Sequence, residues 1–172
     1  MANAPAWFEA ETYLQNKVDQ LNATAYEGKT DWDTAAVEAA FKAAGLTAYD
    51  HFVQYGNAPA ENISPSKSFV VAEYLAAKAA QLNAAAEGGK TDWTEDQVMA
   101  AFEAAGMSAW DHYTKYGAAE GVNPSNAFDT NAYLEAKAAE LNAQAYEGKT
   151  DWDAASVLEA FAAAGHNPVS HQ

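Results

Sequence analysis

Apolar positions along the chain fall at helical intervals. Leu14, Val18 and Leu21 stand at i, i+4 and i+7, on one helix face, and the same phase returns in Leu75, Ala79, Leu82 and in Leu134, Ala138, Leu141. The alanines around them add high intrinsic helix propensity. The pattern predicts three copies of a first helix, each fraying into a loop near Asn22, Asn83 and Asn142 before an acidic, glycine-bearing turn.

A second helix is predicted to start at T-D-W. Thr30 or Asp31 can accept amide N–H groups of its first turn, and Asp33 lies where the helix dipole favours negative charge. Trp32, Ala36 and Ala40 follow at intervals of four beside Val37, Phe41 and Ala44, which makes Trp32, Trp93 and Trp152 candidate core anchors. Gly45, Gly106 and Gly165 come just after the last apolar position, as C-terminal caps do. A short third helix is predicted over T-A-Y-D-H-F-V-Q-Y, opened by Thr47 and stopped by Gly56. Its second copy is S-A-W-D-H-Y-T-K-Y, opened by Ser108 and stopped by Gly117. Pro65 and Pro124 mark the approach to the next first helix.

No stretch alternates in the manner of a sheet bounded by turns. The fold class expected is all-α, with three helices in each of several units of about 60 residues, forming a compact helical domain or a short solenoid. The recurrence is literal: Y-L-x-x-K returns at Tyr13, Tyr74 and Tyr133, and G-K-T-D-W ends at Trp32, Trp93 and Trp152, so the two landmarks keep the same spacing. Such periodicity marks stacked modules. The units are expected at 1–67, 68–126 and 127–172. The last is incomplete, because G-H-N-P-V-S-H-Q matches only the beginning of the Leu46–Gly56 stretch; His171 is expected at a frayed end, near a truncation or in a shortened cap.

Charge narrows the partners. Nine Lys and Arg against 24 Asp and Glu leave a net charge of -15 at pH 7, so no basic track for nucleic acid exists and an anionic membrane surface is disfavoured. No apolar run is long enough to span a bilayer, and the first ten residues lack the pattern of a secretory signal. With no cysteine, disulfides and thiolate metal sites are excluded.

Candidate chemistry is sparse. His51 and His112 are equivalent, each follows an acid, Asp50 or Asp111, and each stands one turn before a tyrosine, Tyr55 or Tyr116. Adjacent residues on a helix point about 100° apart, so Asp-His is no relay by itself, and a packed His-Tyr pair is the expected reading. The acidic turns raise calcium: Glu27, Asp31 and Asp33, with Glu147, Asp151 and Asp153, could supply oxygen ligands beside loop carbonyls. The middle copy has Thr94 in place of the last carboxylate, and the EF-hand order is missing, so helix capping is the simpler expectation. Trp110, Tyr113 and Tyr49, with His51 and His112, are candidates for contact with a saccharide or protein, although a joint between modules would use them equally well. No nucleophile turn or nucleotide fingerprint is present.

The string Y-G-A-A-E-G-V-N-P-S-N-A-F-D-T-N-A-Y-L, Tyr116 to Leu134, resembles helical modules of large bacterial secreted proteins, including surface-layer and RTX-type exported proteins. The stretch Tyr55 to Leu75 departs from it, with E-N-I-S-P-S in place of E-G-V-N-P-S. The resemblance implies a secreted or cell-surface bacterial setting and an accessory, display or assembly role. It carries no ligand to a named residue, and the glycine-aspartate nonapeptides of RTX proteins are missing here. The function expected is a non-enzymatic structural or protein-interaction segment, contacting protein or surface polysaccharide and open to self-association. The alternatives are a carbohydrate- or matrix-binding adhesin module and a calcium-stabilised surface module, with a small hydrolase behind both.

Overall fold

A computed structural model describes residues 3–172. Among these residues eight α-helices follow in order: α1 Ala10–Ala23, α2 Thr34–Ala43, α3 Ala48–His51, α4 Val71–Ala85, α5 Glu95–Ala104, α6 Ala109–His112, α7 Thr130–Ala143 and α8 Ala154–Ala163. The chain is an all-α, multi-helix domain. Its β-type pairs among the described residues are two isolated bridges, Ser66 with Phe69 and Ser125 with Phe128. No described helix is long and apolar enough to cross a membrane.

Each long helix packs against the next ten-residue helix, α1 on α2, α4 on α5 and α7 on α8. The long helices do not fray at their asparagines. Asn22 instead clamps the start of the following segment: its Nδ2 donates to the Trp32 carbonyl at 3.0 Å and its Oδ1 accepts the Trp32 N–H at 2.8 Å. Asn83 holds Trp93 and Asn142 holds Trp152 in the same two-bond manner. A primary amide can satisfy an N–H and a C=O together, which is why a side chain of this type suits the position.

The ten-residue helices start later than T-D-W implies. The residue after the tryptophan is the cap in each: Asp33 accepts from the Ala36 N–H, Thr94 from Gln97 and Asp153 from Ser156. Thr30 and Asp31 therefore stand outside the helix. The tryptophans are pre-helical as well, and Trp32, Trp93 and Trp152 are half-buried at the rim while Ala36 and Ala40 are exposed. Val37 with Phe41, Val98 with Phe102 and Val157 with Phe161 form the buried stripe. A lysine lies over each indole, Lys29, Lys90 and Lys149, at 4.9, 5.0 and 4.6 Å from the ring centroid.

Gly45 closes α2 with φ +76°, passing its N–H to the Lys42 carbonyl and that of Leu46 to Phe41. Gly56 and Gly117 have another purpose. Neither is left-handed; a Cβ on either would collide with the hydroxyl of Tyr13 or Tyr74. Here α3 and α6 run on as π-helical turns, Phe52–Gly56 and Tyr113–Gly117. Pro65 and Pro124 lie before α4 and α7 without opening them; both are buried, and their carbonyls accept the N–H groups of Glu9 and Val70 at 3.2 and 3.0 Å.

Candidate functional site

Three aromatic-histidine sets recur through the domain. The Tyr13 hydroxyl lies 2.7 Å from His51 Nδ1, Tyr74 lies 2.7 Å from His112 Nδ1, and Tyr133 lies 2.9 Å from His171 Nδ1. Each imidazole also stacks on a phenylalanine, Phe41, Phe102 or Phe161, with centroids 4.0, 4.0 and 3.9 Å apart. His171 is thus no frayed terminus but the third member of the set. The signal was present in the sequence, since His51, His112 and His171 recur with the same spacing as Tyr13, Tyr74 and Tyr133.

The hydrogen-bonding tyrosine comes from the long helix, 38 residues earlier, and not from the adjacent turn. Tyr55 and Tyr116 do lean on His51 and His112 at 5.5 Å between centroids, yet they are 52% and 42% exposed. Burial pushes the His51 pKa down to about 4, helped by the Lys17 charge and opposed by Glu61. His112 and His171 are lowered first by burial too, and burial raises Tyr13 and Tyr74 well above the ordinary phenol range. We therefore assign the tyrosine O–H as donor to a neutral imidazole Nδ1.

The aspartates beside the histidines complete capping boxes with Thr47 and Ser108. Asp50 accepts the Thr47 N–H and hydroxyl while Thr47 accepts the Asp50 N–H, and Ser108 and Asp111 form the same reciprocal box. Hydrogen bonds from Thr47 hold the Asp50 carboxyl below its usual range. In the last segment Asn167 and Ser170 repeat the exchange, each accepting the other's N–H at 2.8 Å.

Of the residues expected to meet a ligand, Tyr113 is fully buried and its hydroxyl lies 3.0 Å from Thr130 Oγ1, so it presents no ring face to solvent. Trp110 is half-buried and stacks on Trp7 at 4.5 Å and 16°, with Phe69 edge-on at 5.1 Å. Tyr49 packs on Phe8 at 5.2 Å. This is a joint between parts of the core: Trp110 touches the clusters built around Phe52 and around Phe69, and Val169, the counterpart of Trp110 in the last segment, is buried in the Phe69 cluster. The capping residues reinforce it. Ser108 donates to Asn57 Oδ1 at 2.7 Å and Asn167 donates to Thr114 Oγ1 at 2.8 Å.

The acidic turns do not assemble a cation site. Among the described residues no three His, Cys, Asp or Glu side chains gather into a set that could hold a metal ion. Glu27, Asp31, Glu147 and Asp151 are exposed, while Asp33 and Asp153 are occupied as helix caps.

One concavity stands out, a groove of about 710 Å³ between α1, α2 and the Phe52–Gly56 turn. Tyr26, Trp32, Phe41 and Tyr55 supply apolar wall, and His51, Lys17 and Glu61 supply its polar part. Lys17 and Glu61 are paired at 2.9 Å. Burial pushes the Glu61 carboxyl up, but the hydrogen bond and charge of Lys17 outweigh it and hold it below its usual range. The groove thus offers aromatic surface and a neutralised ion pair. In the second segment Glu87 stands at the place of Tyr26 and Lys115 at that of Gln54, so this lining is not repeated. The chain matches no protein-family model, no curated protein and no solved structure.

Proposed function

We propose that the chain is a non-enzymatic structural or protein-interaction segment built from three copies of one helical module, the last of them shortened. In this reading it belongs to an exported or cell-surface bacterial protein, as the Tyr116–Leu134 resemblance implies, and acts by spacing and contact. The observation that carries it is the threefold use of the chemically suggestive side chains within the fold. Each Tyr-His pair, each Asn-Trp clamp and each capping box satisfies an internal need in copy after copy. A catalytic centre needs one constellation left free to meet substrate.

Modules of this kind add stability through nearest-neighbour contacts. A variant carrying a second copy of residues 68–126 inserted after Asn126 is expected to keep the same helicity per residue, melt at or above the parent temperature, and lengthen in small-angle scattering. An unfolded or equally compact product would overturn the reading.

A second reading, recognition of a neutral saccharide or matrix, is favoured by the aromatic groove in the first segment alone. It predicts that oligosaccharide titration changes tryptophan emission and that Tyr26→Ala and Tyr55→Ala each weaken the response. An unchanged spectrum at saturating sugar rejects it.

A further inference from the structure

The imidazole of His51 is tied on one side only. Its Nδ1 takes the Tyr13 hydroxyl at 2.7 Å, Phe41 stacks on it at 4.0 Å, and Tyr55 leans on it at 5.5 Å. With Nδ1 accepting, the proton of the neutral ring sits on Nε2. Among the described residues the enclosed side-chain polar atoms left without a partner are Ser66 Oγ and Trp152 Nε1, so Nε2 of His51 is open to solvent. His51 lines the groove between α1, α2 and the Phe52–Gly56 turn, and Nε2 is an N–H donor there.

Other polar groups of the groove keep hydrogen-bonding capacity. Lys17 Nζ donates to Gln20 Oε1 at 2.8 Å and to Glu61 Oε2 at 2.9 Å, which leaves one of its protons and the second Glu61 oxygen. Exposed Gln54 adds an amide, both donor and acceptor. Tyr26 and Tyr55 are about half exposed and supply ring surface. The charges cancel, Lys17 against Glu61 with His51 neutral, on a chain of net charge -15.

We propose that this groove binds a neutral pyranose chain, with sugar C–H faces on Tyr26 and Tyr55, hydroxyls at the His51 N–H and the second Glu61 oxygen, and Gln54 keeping the site open. The inference rests on the saccharide reading above and assigns the residues of that site. A sugar hydroxyl both donates and accepts, and an aromatic ring covers the apolar side of the pyranose, which is the mixture present here. A charged ligand would meet no unopposed charge. A wholly apolar one would strip water from Lys17, Glu61 and His51 without replacing it. The groove of about 710 Å³ has the size of a small-molecule site.

The second segment supplies the contrast. His112 keeps its bond to Tyr74, and Tyr116 is 42% exposed. Yet Lys115, at the place of Gln54, holds its Nζ 5.1 Å from the Tyr116 ring centroid, and Glu87 replaces Tyr26. One ring is therefore covered and the other missing. The two segments share the Tyr-His scaffold and differ in the side chains that would meet sugar.

The test is calorimetric titration of the full chain with cellotriose, maltotriose and chitotriose. At least one is expected to bind with a Kd of about 1 mM or tighter. Gln54→Lys, which copies the second segment, should weaken it about tenfold without changing the melting temperature, and Tyr116→Ala should have no effect. The imidazole nitrogen signals of His51 should shift on saturation while those of His112 stay. Glu87→Tyr combined with Lys115→Gln should add one bound sugar per chain, with circular dichroism checking the fold. A sugar held equally well by Gln54→Lys, or unchanged stoichiometry in the folded double variant, overturns the assignment and leaves the saccharide reading intact. No binding of any of the three sugars rejects both, and binding of indole in their place would identify an apolar ring as the occupant instead.

Discussion

The Tyr74 hydroxyl lies 2.7 Å from His112 Nδ1, and it also fills the space where Gly117 would otherwise carry a Cβ. One tyrosine thus fixes a histidine and demands a glycine. Tyr74→Phe leaves the buried imidazole nitrogen without its donor and is expected to cost about 1–3 kcal/mol in chemical denaturation. Gly117→Ala drives a methyl group into the phenol and should cost about 1–3 kcal/mol. Because both act on one hydroxyl, the double variant should be less destabilised than the sum of the two, and strict additivity would contradict the contact.

Acid should weaken the fold before its carboxylates are protonated. The folded pKa of His51 is about 4 against 6.5 for the free group. Between those values the unfolded chain binds a proton that the folded chain does not, so stability rises with pH. His112 and His171 are shifted in the same direction. The expected result is full stability above about pH 6.5 and progressive loss toward pH 4. Equilibrium melts across that window measure it, and His51→Gln should flatten the slope.

Trp110 and Trp7 stack 4.5 Å apart at the joint between core clusters. Trp110→Ala should cost about 3 kcal/mol. A cycle with Trp7→Ala should give a coupling of roughly 0.5–1.5 kcal/mol. Independent effects would mean that the two rings do not share one joint.

Removing the Asn83 amide takes two hydrogen bonds from the Trp93 backbone. Asn83→Ala is expected to destabilise by about 1–3 kcal/mol, and Asn83→Asp, which keeps the acceptor, by less. Hydrogen exchange at the Trp93 amide gives a local readout: it should accelerate in both variants, most in Asn83→Ala.

Asp33 separates capping from calcium binding. As a cap, it should tolerate Asn, while Asp33→Ala costs about 1 kcal/mol in thermal melts. Millimolar calcium should leave the parent melting temperature unchanged. A calcium-dependent rise lost in Asp33→Asn would instead show that the acidic turn holds the ion.

The return of Tyr13 as Tyr74 and Tyr133, the long-helix stripe of Leu14, Val18 and Leu21, and the glycine stop at Gly45 were all legible in the chain. The stripe and the stop depend on neighbours within a turn or two, and the recurrence is plain in the residue order itself. The candidate contacts were less so. His112 one turn before Tyr116 suggested a local pair, yet its hydrogen-bond partner is Tyr74, and Tyr113 is hidden while Tyr116 is open. Even His171, whose spacing announced its equivalence, lacked the preceding aspartate that marked the other two.

By itself, then, the sequence determined the all-α class, the helix order and the repeating vocabulary of caps and apolar positions, since periodicity and propensity act locally. Only the tertiary structure decided that Trp110 closes on Trp7, that Gly56 and Gly117 make room for a phenol, and that Lys17 meets Glu61 and Lys78 meets Glu120. Those outcomes depend on which surfaces distant parts of the chain bring together, and no spacing along a single helix encodes them.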